Sequence, residues 1–242
     1  MESNRDFRLL PVAARWTVIG FAMAGLAALL SATLIQPSVA SGRLLLLLSV
    51  AAGAARVRVP LLKGATLSFL TFVVLLAIMT DGLAVAMLVA LCGVTVQTLI
   101  PSKKLVAHQL AFNAGMIAVT VTASWWTYHL LCSALRVETV SSHLIAIVIA
   151  SFTYFLGNSV SVSLIIALTK GISAVQIWYQ HFLFSAPSFL IAGVLALATF
   201  AVTTSGGVAV SIALLTIALI AYYCSIRISG LVLRHDRQTA AR

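Results

Sequence analysis

The sequence predicts an all-α fold: a polytopic integral membrane helix bundle with about eight transmembrane segments and both termini in the cytoplasm. Three observations predict it. Of 242 residues, 62% are hydrophobic and only 8% are charged, whereas a soluble domain carries roughly a quarter charged residues. The apolar residues fall into long runs broken by short polar or basic links. The basic residues sort to one side of those runs, as the positive-inside rule requires.

The runs follow in order. Residues 1–15 form a charged cytoplasmic segment, and helix one runs from about Trp16 to Ile35. A secretory leader has a shorter apolar core, and Glu2 and Asp6 are atypical of its head, so a retained helix is expected. Run two, from about Ser41 to Ala55, is short; Arg56, Arg58, Pro60 and Lys63 follow it. Run three, Ala65 to Met79, stops at Thr80-Asp81-Gly82, a turn signal. Run four covers Leu83 to Ile100 and ends at Pro101-Ser102-Lys103-Lys104. Run five covers Leu105 to Trp126 and run six Val140 to Thr169. At 1.5 Å per residue, run six is longer than the hydrocarbon layer and must tilt or protrude. Run seven covers Phe184 to Phe200, run eight Val208 to Ile226, and residues 227–242 form a basic tail. The transmembrane domain as a whole is residues 16–226.

Charge tests this count. With eight crossings and a cytoplasmic N-terminus, only Arg43 and Arg136 of the 15 Lys and Arg lie outside. The membrane potential opposes moving a cation outward, which gives the bias its cause. If the short runs two and three are a re-entrant pair, six crossings remain with the same sidedness. Basic residues scattered between apolar runs describe topology, not a nucleic-acid surface, so lipid is the expected surroundings. The aromatic residues Trp16, Trp125, Trp126, Tyr128, Trp178, Tyr179, Tyr222 and Tyr223 fall near the run ends, at headgroup depth. Trp125 and Trp126 could alternatively form a ligand cage.

Polar residues inside the runs are the candidate functional groups. Gln109, Asn113, Thr120, Ser124 and Thr127 recur at helical spacing on run five; Ser151, Tyr154, Asn158, Ser161 and Thr169 do so on run six. Polar groups in hydrocarbon need partners, so both stripes should face the bundle interior. Two readings stand side by side: hydrogen bonds between helices, or a ligand pocket lined by Asn113, Asn158, Gln109, Tyr154 and Ser161. Ala24, Ala28 and Ala32 repeat every fourth position on helix one, either a face for a partner helix or a consequence of alanine's abundance. Trp178 and Tyr179, in the amphipathic stretch after Lys170-Gly171, are placed to touch a partner at the cytoplasmic interface.

Several chemistries are not expected. The acids Glu2, Asp6, Asp81, Glu138 and Asp236 all fall outside the runs, which disfavours ion-coupled transport. The five histidines lack metal-ligand spacing, and the three cysteines, Cys92, Cys132 and Cys224, are dispersed. No nucleophile elbow or phosphate loop is present, so neither catalytic residues, a metal nor a cofactor is expected.

The stretches LVAHQLAFNAGMIAVTVTAS and TYFLGNSVSVSLIIALTKGISAVQIWYQHFLFSAPSFLIAGVLAL resemble the multi-helix membrane regions that precede GGDEF or HD-type signalling domains in bacteria. The likeness rests on Asn113, Asn158, Trp178 and Ala186-Pro187-Ser188, and covers roughly residues 60 to 200. It implies a non-enzymatic sensory or signal-relay module of the bacterial cytoplasmic membrane. The ending ISGLVLRHDRQTAAR departs from that pattern, because no output domain is expected; the partner would be a separate cytoplasmic signalling protein. The alternatives are the substrate-binding membrane subunit of a vitamin-type importer, which would contact a coupling subunit, and a membrane scaffold subunit.

Overall fold

A computed structural model describes residues 7–36, 41–56, 58–60, 66–99, 106–136 and 140–206. The expected eighth run, the basic tail and the link Pro101–Lys104 lie outside these residues. The described residues are helical apart from one short ribbon of two strands.

A single tight turn, Phe7–Leu9, precedes α1 (Val12–Ile35). The helix starts four residues before the expected Trp16, directly after Pro11. Proline suits this place, because the first turn of a helix leaves its N–H groups unbonded anyway. Only Ala14, Val18, Gly25 and Ala32 of α1 are buried, spaced by four and seven residues. They form one narrow seam on a helix that otherwise faces outward, with Leu34 83% exposed.

Next come α2 (Ser41–Ala54), β1 (Arg58–Pro60), β2 (Thr66–Ser68) and α3 (Phe69–Thr80). The strands pair antiparallel with Val59 opposite Leu67. The sequence reading had only a basic link and the start of run three here. Pro60 lacks an N–H, which a ladder of two strands tolerates at its edge. At 14 and 12 residues, α2 and α3 are about 21 and 18 Å long, short of a hydrocarbon core of about 30 Å. α3 and α4 (Leu83–Leu99) are apolar on every side and largely buried by protein, as a helix without a polar face must be.

α5 (Ala107–Ala134) runs a further eight residues beyond the expected Trp126. No glycine or proline interrupts that stretch, and the helix stops just before Arg136, whose φ of 46° lies in the left-handed region. α6 (Val140–Lys170) ends at Gly171, φ 69°, whose N–H donates to Ala167 O at 2.8 Å. This is the usual glycine stop at a helix C-terminus.

α7 (Ala174–Ile177) opens with Ser173 accepting a hydrogen bond from Gln176 N–H. It passes through a wide turn, Trp178–Phe182, and a tight one, Leu183–Ser185, into α8 (Ala186–Gly206). α8 opens at Ala186-Pro187-Ser188, where proline fits the first helical turn. Among the described residues, three helical stretches are long and apolar enough to cross a membrane: Val12–Ile35, Ser142–Lys170 and the continuous Ala174–Thr204.

The chain divides into two compact units, residues 1–197 and 198–242. In the first, α5 is the central helix, touching α1, α4 and α6. α3 and α2 lie against α4, and α7 lies against α6. α8 meets α6 where Ser151 faces Gly193. The α1–α5 crossing is set by two glycines: a Cβ built on Gly25 would stand 2.4 Å from Gly115 Cα. Around it Val18, Phe112 and Met116 form a core that Phe7, Phe21, Val162 and Ile165 flank. The second unit's described residues are the last turns of α8. There the Thr203 and Thr204 hydroxyls donate to carbonyls one turn back.

Candidate functional site

Membrane helices give their polar side chains few ways to be satisfied, so the test for each candidate residue is where its hydrogen bonds go. Hydroxyls have an easy answer, because Ser and Thr can donate to the carbonyl one turn back. Thr122, Thr127, Ser151, Thr153, Ser163 and Thr169 all do this. The Thr153 and Thr127 oxygens lie 3.4 Å apart. Each hydroxyl has already spent its one proton on its own helix, so this contact binds α5 to α6 weakly.

On α5, Gln109 is exposed. Asn113 is half-buried and donates from Nδ2 to Thr98 Oγ1 of α4 at 3.2 Å. Its amide is thus joined to α4, not to Asn158. Thr120 is buried against Gly157 of α6. Ser124 is fully buried, and its hydroxyl has no partner among the described residues. One strong polar bond joins α5 to α6: the Tyr128 hydroxyl and His143 Nδ1, 2.8 Å apart. Trp125, Trp126 and His129 gather beside it, the Trp125 and His129 rings 4.3 Å apart. This end of the bundle therefore holds an aromatic cluster.

Tyr154, Asn158 and Ser161 of α6 differ from the rest. They lie at i, i+4 and i+7, hence on one face. Tyr154 is 3% and Ser161 8% exposed, and Asn158 is half-buried. None of the three side chains has a hydrogen-bond partner among the described residues. Their oxygens are not walled off either, because the polar atoms sealed without a partner are Ser124 Oγ and Trp125 Nε1. Three polar groups without a partner among the described residues thus share one face of an apolar helix, where an unpaired polar group is costly in low dielectric.

Aromatic rings flank this face. Tyr154 and Phe155 stand 6.0 and 5.4 Å from Phe189 of α8, and Phe155 is 6.0 Å from Trp178. Trp178 turns inward, donating from Nε1 to Ser159 Oγ at 2.9 Å. Its indole ties the turn after α7 to α6, while the adjacent Tyr179 is 61% exposed. Ser159 and Phe155 were not legible as partners of Trp178. The only signal was the i, i+4 spacing of Phe155 and Ser159 on α6.

The alanines of α1 part company. Ala32 is buried, Ala28 is half-buried and Ala24 is exposed. Ala24 lines an open groove of about 250 Å³ with Thr17, Gly20, Phe21 and Val119. The buried small residue at the crossing is Gly25.

A polar knot closes one end of the bundle. Gln36, just past α1, donates from Nε2 to Asp81 O at 2.7 Å and accepts from Ala84 N–H at 3.3 Å. Arg43 Nε pairs with Asp81 Oδ1 at 2.7 Å, and the Thr80 hydroxyl donates to Oδ2 of the same carboxylate. The C-terminus of α1, the N-terminus of α2 and the α3–α4 turn thus share one end. Among the described residues no three His, Cys, Asp or Glu side chains gather as metal ligands.

Comparison with protein-family models, curated proteins and solved structures finds no match for this chain.

Proposed function

We propose that this chain is a multi-pass protein of the bacterial cytoplasmic membrane that senses a small molecule within the bilayer and relays its binding to a cytoplasmic partner. In this reading eight helices cross, both termini are cytoplasmic, and the Gln36–Arg43–Asp81 knot lies outside. The meeting of those three residues supports the order of crossings, which puts the end of run one, the start of run two and the turn between runs three and four on the same side. The hairpin of α2 and α3 reaches the inner interface through its ribbon. Three residues of strand add about 10 Å to each short helix, and Arg58 is on the ribbon.

One observation carries the sensory reading. The unpartnered face of Tyr154, Asn158 and Ser161 shares α6 with Ser159, which holds Trp178 and hence the exposed Tyr179 segment. A ligand on that face touches the helix to which the partner-facing segment is tied. The test places a benzophenone photocrosslinker at Tyr179 in native membranes. An adduct with a cyclase, phosphodiesterase or kinase is expected. Adducts with a transporter coupling subunit would replace this reading by the importer one, and lipid adducts alone would exclude both.

A further inference from the structure

We infer that the α6 face of Tyr154, Asn158 and Ser161 takes an uncharged, ring-bearing, membrane-soluble molecule that accepts hydrogen bonds at two points. This rests on the reading of that face as a ligand site.

Charge sets the first limit. α5 and α8 contain no Asp, Glu, Lys or Arg, and the only one on α6 is Lys170 at its last position. An ion at Asn158 would find no counter-charge on these three helices near it, and a buried unpaired ion is far costlier than a neutral polar group. A ligand held here is therefore neutral.

Depth sets the second. Tyr154 and Ser161 stand 14 residues from the start and nine from the end of α6, about 21 and 13 Å from its ends. The face is in the middle of a membrane span, so its ligand must be soluble there.

The donors set the third. Tyr154 and Ser161 are two turns apart on α6, about 10 Å between their Cα atoms along the axis, and each hydroxyl has a proton to give. Asn158, between them, can donate and accept. The complementary molecule carries at least two acceptors. Its body would lie toward Phe189, which is half-buried and 6.0 Å from Tyr154, and an aromatic ring favours an offset or edge contact with another ring. A quinone has these properties: a planar, neutral ring with two carbonyl acceptors.

The test uses the full chain in lipid nanodiscs with Trp16, Trp125 and Trp126 replaced by Phe, leaving Trp178 as the reporter. The probes are tetramethyl-1,4-benzoquinone, which is neutral, and chloranilate, a dianion on the same ring. Saturable quenching of Trp178 by the neutral quinone is expected. Its midpoint should rise about tenfold in Tyr154→Phe and again in Asn158→Leu, the effect of losing one buried hydrogen bond. Chloranilate should not saturate. Saturation by chloranilate would overturn the neutral class while leaving the site standing. Absence of saturation with either probe would overturn the ring-bearing class. Equal quinone affinity in wild type, Tyr154→Phe and Asn158→Leu would overturn both this inference and the site.

Discussion

Replacing Gly115 by Ala should separate the two helices on which the bundle turns. A Cβ on Gly115 would lie 2.2 Å from Phe21 O and 2.8 Å from Ala22 N, both backbone atoms of α1. A flexible side chain could swing away; a helix backbone cannot. Relief requires α1 and α5 to part by about 1 Å, and overpacking of this kind costs roughly 1–3 kcal/mol. The separation also thins the contacts of Val18 and Phe21 with Phe112 and Met116, and dispersion falls steeply with distance. The assay is thermal unfolding in nanodiscs, where each kcal/mol is about 2–4 °C for a chain of this length. Gly20→Ala on α1 is the control, because a Cβ there meets nothing within 4 Å. It should leave the midpoint unchanged or raise it slightly, since alanine is the better helix former. Gly93→Ala should fall between, because its Cβ meets the movable end of Leu70. If Gly115→Ala and Gly20→Ala unfold at the same temperature, the glycine crossing does not hold the bundle as described.

Two other substitutions follow from single hydrogen bonds. Trp178→Phe removes the donor to Ser159 Oγ and should cost about 0.5–1.5 kcal/mol, with faster proteolysis within 172–185. Unchanged cleavage there would mean that the indole does not tie the segment to α6. Gln36→Ala removes both bonds that its amide makes to the α3–α4 turn and should cost roughly 1–3 kcal/mol. Amide exchange at Ala84 should speed up; if only distant amides respond, the side chain does not hold the turn.

How much was legible follows from how far each signal reaches along the chain. The start of α4 and the end of α6 were legible within a residue, because apolar runs are bounded by local signals such as Thr80-Asp81-Gly82 and the Lys170-Gly171 step. The end of α5 was not, because two tryptophans look like a membrane boundary although nothing in the backbone stops a helix there. The ribbon between α2 and α3 was missed because its strands are three residues each, too short for a period to show. Tyr154, Asn158 and Ser161 were legible as a polar face from spacing alone. Their lack of partners was not, since that depends on what neighbouring helices bring.

The sequence by itself determined that the chain is helical and apolar, and which residues share a helix face. Those properties depend on composition and on a period of 3.6 residues, both local. Tertiary structure alone decided that Asn113 is joined to α4, that Trp178 turns in to Ser159 while Tyr179 turns out, and that Gly25 meets Gly115. The physical reason is distance along the chain. Gly25 and Gly115 are 90 positions apart, and no local pattern in either helix announces that its backbone will touch the other's.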